Sequence, residues 1–474
     1  MELKKVLERN PNLKFVVDKL ELYSGLSRKY LYASRFKTQI ADIELELNLI
    51  EHVFALLKNP AQEEFTSKIK IKLMQFKDVN GSIRNLSTAT VLDDVELFEL
   101  KHFSLLQDDV RKLLALTGTA VLDMPSLEKV IAILDPQNQR IPGFYIYDEY
   151  SSKLAEIRKE YKTIKHQEDS HEYVDVANSK ADMLFQQSLV LEDEIREKLT
   201  QELSKHKETL KEAIDKIAHL DILIAKAEVA DKLHLTKPEV SKETTILQGL
   251  FNPQLKELLQ SKGKDFQAVD ICIPQRAHLI TGANMAGKTV LLKSIALAQY
   301  LMQFGFYVPA SYAGIVPVEE VVLCISDDQS ELAGLSSFAA EMMNVNSIIQ
   351  LIRKKKKIFV LIDELARTTN PVEGTAFVAS MLELLEENKV RSLITTHYSG
   401  IETNCRKLRV KGFIREKLNT DLTIDNINDY IDYSLVEEQD QIVPMEALQI
   451  AALLNVDASL LERARSLMKK TETK

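Results

Sequence analysis

The sequence predicts an α/β layer with a largely parallel sheet in its C-terminal half, preceded by an all-α part. Three observations carry this. Residues 278–294 read HLITGANMAGKTVLLKS, so that Gly282 to Thr289 satisfies G-x-x-x-x-G-K-[ST] between an apolar run and a helical pattern. Ile358 to Glu364 is an apolar strand pattern ending in two acids, 75 positions beyond Lys288 (363 − 288). After Pro238 short β-type runs alternate with helices, whereas the first 137 residues repeat apolar side chains every three or four positions with few Gly or Pro.

In chain order, Met1 to Gln137 reads as helices, for example Ile40–Leu57 and Val95–Leu116, with His52 and His102 standing singly as structural residues. Pro136, Pro142 and Gly143 interrupt this pattern. The stretch Phe144–Tyr161 follows as a tyrosine-rich loop entering a helix near Ser151 or Ser152, its rings read as a packing anchor rather than a base-stacking platform. Ser188 to Leu233 reads as one long charged helix. Its first half is polar almost all round, and its end (Leu220, Ile222, Leu223, Ala225, Ala227, Val229) is apolar enough to dock into a core. The runs ICI, HLIT, EEVVLCIS, IFVLID and RSLITTH then supply the strands. Arg353–Lys357 reads as a solvated loop in preference to a weak nucleic-acid patch, and the last segment as a helix–turn–helix for docking or dimerisation in preference to a DNA reader. The division expected is 1–137 helical core, 138–238 lever helices returning to it, 239–440 nucleotide-binding domain and 441–474 dimerisation element.

Composition bounds the function. Apolar residues make up 45% and charged residues 28%, as in an ordinary globular protein, and the net charge of −9 gives no global attraction to nucleic acid or anionic membrane. Between Lys153 and Lys216 there are 12 Lys and Arg against 15 Asp and Glu, the wrong bias for gripping a phosphate backbone. Cys272, Cys324 and Cys405 are far apart and read as buried thiols of a reducing compartment. Without an apolar signal core or membrane-spanning run, the expectation is a cytoplasmic protein.

The chemistry lies in three motifs. The loop Gly282, Ala283, Asn284, Met285, Ala286, Gly287 turns N–H groups inward, and the helix starting at Lys288, Thr289 and Val290 adds its positive end, so a polyphosphate binds there. Lys288 is expected to reach the β- and γ-phosphates and Thr289 to hold Mg²⁺, with Asp363 completing that metal shell. Glu364 is placed to orient and deprotonate the attacking water. His397, just past the run LITT, can sense the γ-phosphate. The reaction expected is Mg²⁺-dependent hydrolysis of ATP to ADP and phosphate.

These motifs, with YVPAS (Tyr307–Ser311), DDQSELAGLSSFAAEM (Asp327–Met342), LIDELARTTNPVEG (Leu361–Gly374), TTHY (Thr395–Tyr398) and the closing ALQIAALLNVDASLLERARSL, resemble the ATPase domain of the MutS family of DNA mismatch-repair proteins over nearly all of residues 245–470. The resemblance implies an ABC-type P-loop ATPase that works as a homodimer with composite sites. Ser336 and Ser337, near the turn holding Gly334, would then contact the partner's γ-phosphate in trans. It also implies that Phe266 lies beside adenine, although Val269 stands where the family has Asn. Ala286-Gly287 replaces a Gly pair, at a position that is free in the general motif. Ala366-Arg367-Thr368-Thr369 replaces Gly-Arg-Gly-Thr; losing both glycines stiffens that turn, so nucleotide binding is expected to persist while turnover or its coupling differs.

The N-terminal half resembles the family's helical core and lever through HLDILIAKAEVADKL and FYIYDEYSSKLAEIRKEY. The mismatch-reading and connector domains have no counterpart in the sequence, the clamp shrinks to about thirty residues between Arg158 and Leu191, and no nuclease-type domain follows. The resemblance therefore implies a reduced member. Two roles stay open. One is ATP-dependent handling of DNA, which the family favours. The other is ATP-switched remodelling of a protein partner, resembling reactivases of cobalamin-dependent aminomutases, which the acidic levers favour. A scaffold without hydrolysis is disfavoured by Glu364.

Overall fold

The computed structural model describes residues 1–88, 90–118, 121–168, 174–282, 287–325, 337–398, 400–414, 427–438, 448, 451 and 456–471. In chain order come α1 (Leu3–Leu7), α2 (Pro11–Asp18), α3 (Ser27–Ala33), α4 (Ile40–Lys58), α5 (Glu63–Leu73), α6 (Asn80–Ser87), α7 (Asp94–Leu116), α8 (Glu128–Leu134), α9 (Ser152–Glu168), α10 (Val174–Ser204) and α11 (Lys207–Lys232). Then follow β1 (Glu239–Val240), β2 (Thr245–Leu250), α12 (Pro253–Ser261), β3 (Val269–Ile273), β4 (Ala277–Thr281), α13 (Lys288–Gln303), β5 (Tyr312–Ile315) and β6 (Glu320–Cys324). The last are α14 (Ser337–Arg353), β7 (Ile358–Ile362), α15 (Pro371–Glu387), β8 (Arg391–Thr395), β9 (Arg406–Phe413), β10 (Ile431–Glu437) and α16 (Ala458–Thr471). The first half of the expected C-terminal helix–turn–helix lies largely outside the described residues. Among the described residues no helix is long and apolar enough to cross a membrane.

The chain divides into two compact units. One comprises Met1–Leu20, Arg35–Asn48 and Val229–Lys474, the other Glu21–Ser34 and Leu49–Glu228. These borders run differently from divisions at 137 and 238, falling inside α4 and α11. The reason is that the N-terminal segments carry bonds no local pattern announces. Lys37 N–H donates to Gln303 O at 2.8 Å, the Gln303 carboxamide donates back to Lys37 O at 2.7 Å, and the Phe36 ring meets Phe304 edge-on at 5.4 Å.

In the unit of Glu21–Ser34 and Leu49–Glu228, every described element is helical. Helix α7 starts in a capping box, with Asp93 accepting from Glu96 N–H at 2.8 Å and Glu96 from Asp93 N–H at 3.1 Å. Its buried face includes Lys101, whose ammonium donates to Asp135 at 3.1 Å, to Gly143 O at 3.0 Å and to Tyr147 Oη at 2.7 Å. The tyrosine segment packs on itself, Tyr145 and Tyr147 lying 4.2 Å apart, and Ser151 Oγ accepts from Leu154 N–H at 3.3 Å to cap α9. The single helix expected over Ser188–Leu233 is instead two. At the break, Lys205 N–H bonds Glu202 O and His206 N–H bonds Leu203 O, three-residue closures that end α10 before α11 begins.

The other unit holds two sheets. The larger has the order β10-β9-β4-β8-β7-β6, parallel from β9 to β6, with β10 antiparallel at its edge. Strands β4, β7 and β8 are buried at every position, as a sheet covered on both faces requires. The run ICI does not join it. It belongs to β3 in a four-stranded sheet of order β1-β5-β2-β3, antiparallel to β2. Its full extent, VDICI, alternates buried and exposed, the mark of a strand with one face in water. That alternation exposes Cys272, and Cys324 is half-buried, so only Cys405 is the buried thiol expected of all three. Lys354 to Lys357 form an exposed turn between α14 and β7, with Lys356 reaching Glu320 at 3.5 Å.

Candidate nucleotide site

Strand β4 delivers the chain to Gly282 (φ 137°), and the described backbone resumes at Gly287 (φ 72°), whose left-handed conformation suits glycine and leads into α13 at Lys288. Ala283, Asn284, Met285 and Ala286 lie outside the described residues. Lys288 is buried, its ammonium donating to Gly282 O at 2.6 Å, and Val290 is half-buried. Gly305 (φ 70°) ends the helix: its N–H donates to Met302 O at 2.9 Å and Phe306 N–H to Leu301 O at 2.8 Å, the paired bonds of a Schellman close. So α13 is fixed at both ends, and its first turn is held against the sheet.

The acid pair meets this turn. Thr289 Oγ1 donates to Asp363 Oδ2 at 2.6 Å, so the end of β7 and the start of α13 share one cleft although β8 separates β7 from β4. The other oxygen, Oδ1, accepts from Thr395 Oγ1 at 2.6 Å, and Thr395 Oγ1 in turn accepts from Glu364 N–H at 3.0 Å. Thr395, at the end of β8, therefore orients both acids. It lies within the TTHY motif, but spacing alone gave it no role. Glu364 (φ 53°) and Ala366 (φ 60°) are both left-handed, a costly conformation for side-chain-bearing residues. Arg367 Nη1 lies 3.1 Å from Glu364 Oε2. His397 is exposed, its ring 4.3 Å from that of Tyr398.

Of the remaining expected residues, Ser337 opens α14, while Ser336 lies outside the described residues. Phe266 is half-buried just ahead of β3. Its neighbour Gln267 ties this loop to β10, accepting from Tyr433 N–H at 3.1 Å and donating to Asp432 Oδ1 at 2.8 Å. Burial would raise the Asp432 carboxyl, but bonds from Ser434, Gln267 and Lys411 hold it well below the usual carboxylate range. Tyr433 then packs against Gly287: a Cβ there would sit 3.0 Å from its ring. Nothing local to β10 signals this, because it depends on how the edge strand returns beside β9.

A cleft of about 910 Å³ also opens beside Asp363, lined by Lys5, Arg9, Lys293, Glu341 and Arg367 among others. Of the described residues of the glycine motif, Gly282 and Gly287 to Thr289 do not line it. For a hard divalent cation the donor set is suitable: a hydroxyl and a carboxylate in contact at 2.6 Å, with water and phosphate oxygens to complete the shell. No cluster of three or more His, Cys, Asp or Glu capable of holding a metal by itself occurs among the described residues.

Comparison with known proteins gives sequence relatives of this segment and of the chain as a whole. The family MutS domain V matches residues 278–472. The chain is 24% identical to "DNA mismatch repair protein MutS" of Caldanaerobacter subterraneus subsp. tengcongensis over 97% of its own length and 53% of that protein. It is 24% identical to "Endonuclease MutS2" of the same organism, over 98% of this chain and 64% of the relative. Over a shorter span, 40% of the chain and 24% of the relative, identity to "Endonuclease MutS2" of Fusobacterium nucleatum subsp. nucleatum reaches 36%. The chain thus spans between about half and two thirds of the two relatives it matches end to end. Residues 278–472 thus match MutS domain V, the segment that holds the candidate nucleotide cleft, and the chain is similar to MutS and MutS2 proteins along almost its whole length.

Proposed function

We propose that this protein binds ATP with Mg²⁺ and hydrolyses it, and uses nucleotide state to move its helical core and levers on a DNA substrate. The observation that carries the ATPase reading is the 2.6 Å contact between Thr289 and Asp363, which brings the glycine turn and the acid pair to one point. In this reading the α13 N-terminus and the Lys288 ammonium hold the β- and γ-phosphates, and Thr289 and Asp363 hold Mg²⁺. When bound, Mg²⁺ neutralises charge that builds on the phosphate oxygens. Glu364, adjacent to Asp363 and fixed through its N–H by Thr395, orients the water and takes its proton. His397 faces the γ-phosphate from the end of β8. Ser336 and Ser337 complete the site of a second copy, and Phe266 contacts adenine.

DNA as the substrate rests on the family and on the names of the relatives. The acidic balance of residues 153–216, 12 cations against 15 acids, favours the second reading, a protein client remodelled under ATP. Two measurements decide. Glu364→Gln is expected to keep ATP affinity while cutting hydrolysis by about 10² or more, and Lys288→Ala to abolish binding; normal turnover in either removes the ATPase assignment. Absence of duplex and branched DNA binding at low salt, with and without ATP, would remove DNA and leave the protein client.

A further inference from the structure

The turn after the acid pair is clamped at a single residue from two sides. Ala366 is fully buried and left-handed. Its N–H donates to Glu341 Oε1 at 2.8 Å, and its carbonyl accepts from Tyr398 Oη at 2.7 Å. Glu341 lies on α14, the helix that Ser337 opens, and Tyr398 directly follows His397. The tyrosine reaches the carbonyl because residue 374 on α15 is glycine, where a Cβ would overlap the phenol ring. Leu365, Ala366, Val378 and Tyr398 share one buried cluster with Val345 and Ile348 of α14, so the three segments cannot shift independently.

From this we infer that Glu341 and Tyr398 are positioning residues that set Glu364 for hydrolysis, so that α14 and the His397 turn act on the catalytic base through the backbone of Ala366. The inference rests on the ATPase reading above and adds a regulatory route to it. Neither side chain is placed against the nucleotide. Each holds one of the two peptide groups flanking Ala366, two residues beyond Glu364, where a left-handed alanine would relax if released. A rearrangement of α14, or of the turn bearing His397, would then reach Glu364 without passing through the phosphate loop. Glu341 acts here as an acceptor oxygen; a neutral carboxamide can do the same.

The test compares the full-length wild type with Glu341→Gln, Glu341→Leu and Tyr398→Phe, measuring ATP affinity and single-turnover hydrolysis separately. Glu341→Leu and Tyr398→Phe are expected to lower the hydrolysis rate on the order of tenfold or more while affinity stays within about threefold. Glu341→Gln is expected to restore most of the rate, since its oxygen still accepts from Ala366 N–H. Wild-type rates in both Glu341→Leu and Tyr398→Phe overturn the inference and leave the ATPase intact. So does a Glu341→Gln rate as low as that of Glu341→Leu, or parallel loss of affinity and rate. If the wild type itself hydrolyses no ATP, the ATPase reading falls and this inference with it.

Discussion

His278 gives the sharpest quantitative test of the sheet that carries the phosphate loop. It sits four residues before Gly282 on β4 and is fully buried, its Nδ1 3.0 Å from Ser392 O and its Nε2 buried without a partner. Burial, helped by Arg406 and Arg276, pushes its pKa from 6.5 down to about 4, against the opposing hydrogen bonds. The folded state therefore favours the neutral ring. Its contribution is fully present above pH 6.5 and is lost as pH falls through 6.5 toward 4. At about 1.36 kcal/mol per pH unit, that interval amounts to about 3 kcal/mol in total, of which roughly 2 kcal/mol is gone by pH 5. The assay is urea unfolding followed by circular dichroism at pH 7.5 and pH 5, on the wild type and on His278→Leu. Carboxylates elsewhere titrate equally in both, so the difference isolates the imidazole. The variant should lose about 2 kcal/mol less than the wild type over this range. Equal pH dependence in the two proteins would refute the argument, and a His278 ring titrating near its ordinary value by NMR would refute its premise.

Other consequences follow from single contacts. Thr395→Val removes the donor to Asp363 and the acceptor for Glu364 N–H; stability should fall by about 1–3 kcal/mol and hydrolysis more than ATP affinity, measured by thermal unfolding and single-turnover kinetics. Gly374→Ala forces a Cβ into the Tyr398 ring and should cost about 1–3 kcal/mol, whereas Ala376→Gly, at an exposed position on the same helix, serves as a control for helix propensity in the same unfolding experiment. Lys101→Met leaves Asp135 buried beside Arg140 N–H without its cation; a loss of about 3–5 kcal/mol is expected in thermal melts, with part recovered by adding Asp135→Asn.

The candidate nucleotide cleft was legible in the sequence because its parts are local. A glycine turn needs glycine at fixed offsets, a strand covered on both faces is a continuous apolar run, and an acid at the end of such a strand stands out against it. Gly282, Gly287, Lys288, Thr289, Asp363 and Glu364 could therefore be named. The reading was weaker where periodicity misleads. The charged pattern continues without interruption through Lys205 and His206, so the break between α10 and α11 has no glycine or proline to announce it. The run ICI is too short to separate a two-sided from a one-sided strand until its neighbours are counted.

What the amino-acid sequence determined by itself was the chemistry available: a glycine turn of the phosphate-loop pattern, a hydroxyl and two carboxylates, in an order shared with a family. What only the tertiary structure decided was which side chains from distant segments close on those groups. Thr395 lies 32 residues from Asp363, and Tyr398 32 residues from Ala366, and each bond exists because parallel strands place their ends side by side. Tyr433 reaches Gly287 only through the return of an antiparallel edge strand. Local preference depends on neighbours a few bonds away, whereas these contacts depend on strand order, which the chain settles only when the whole sheet is buried at once.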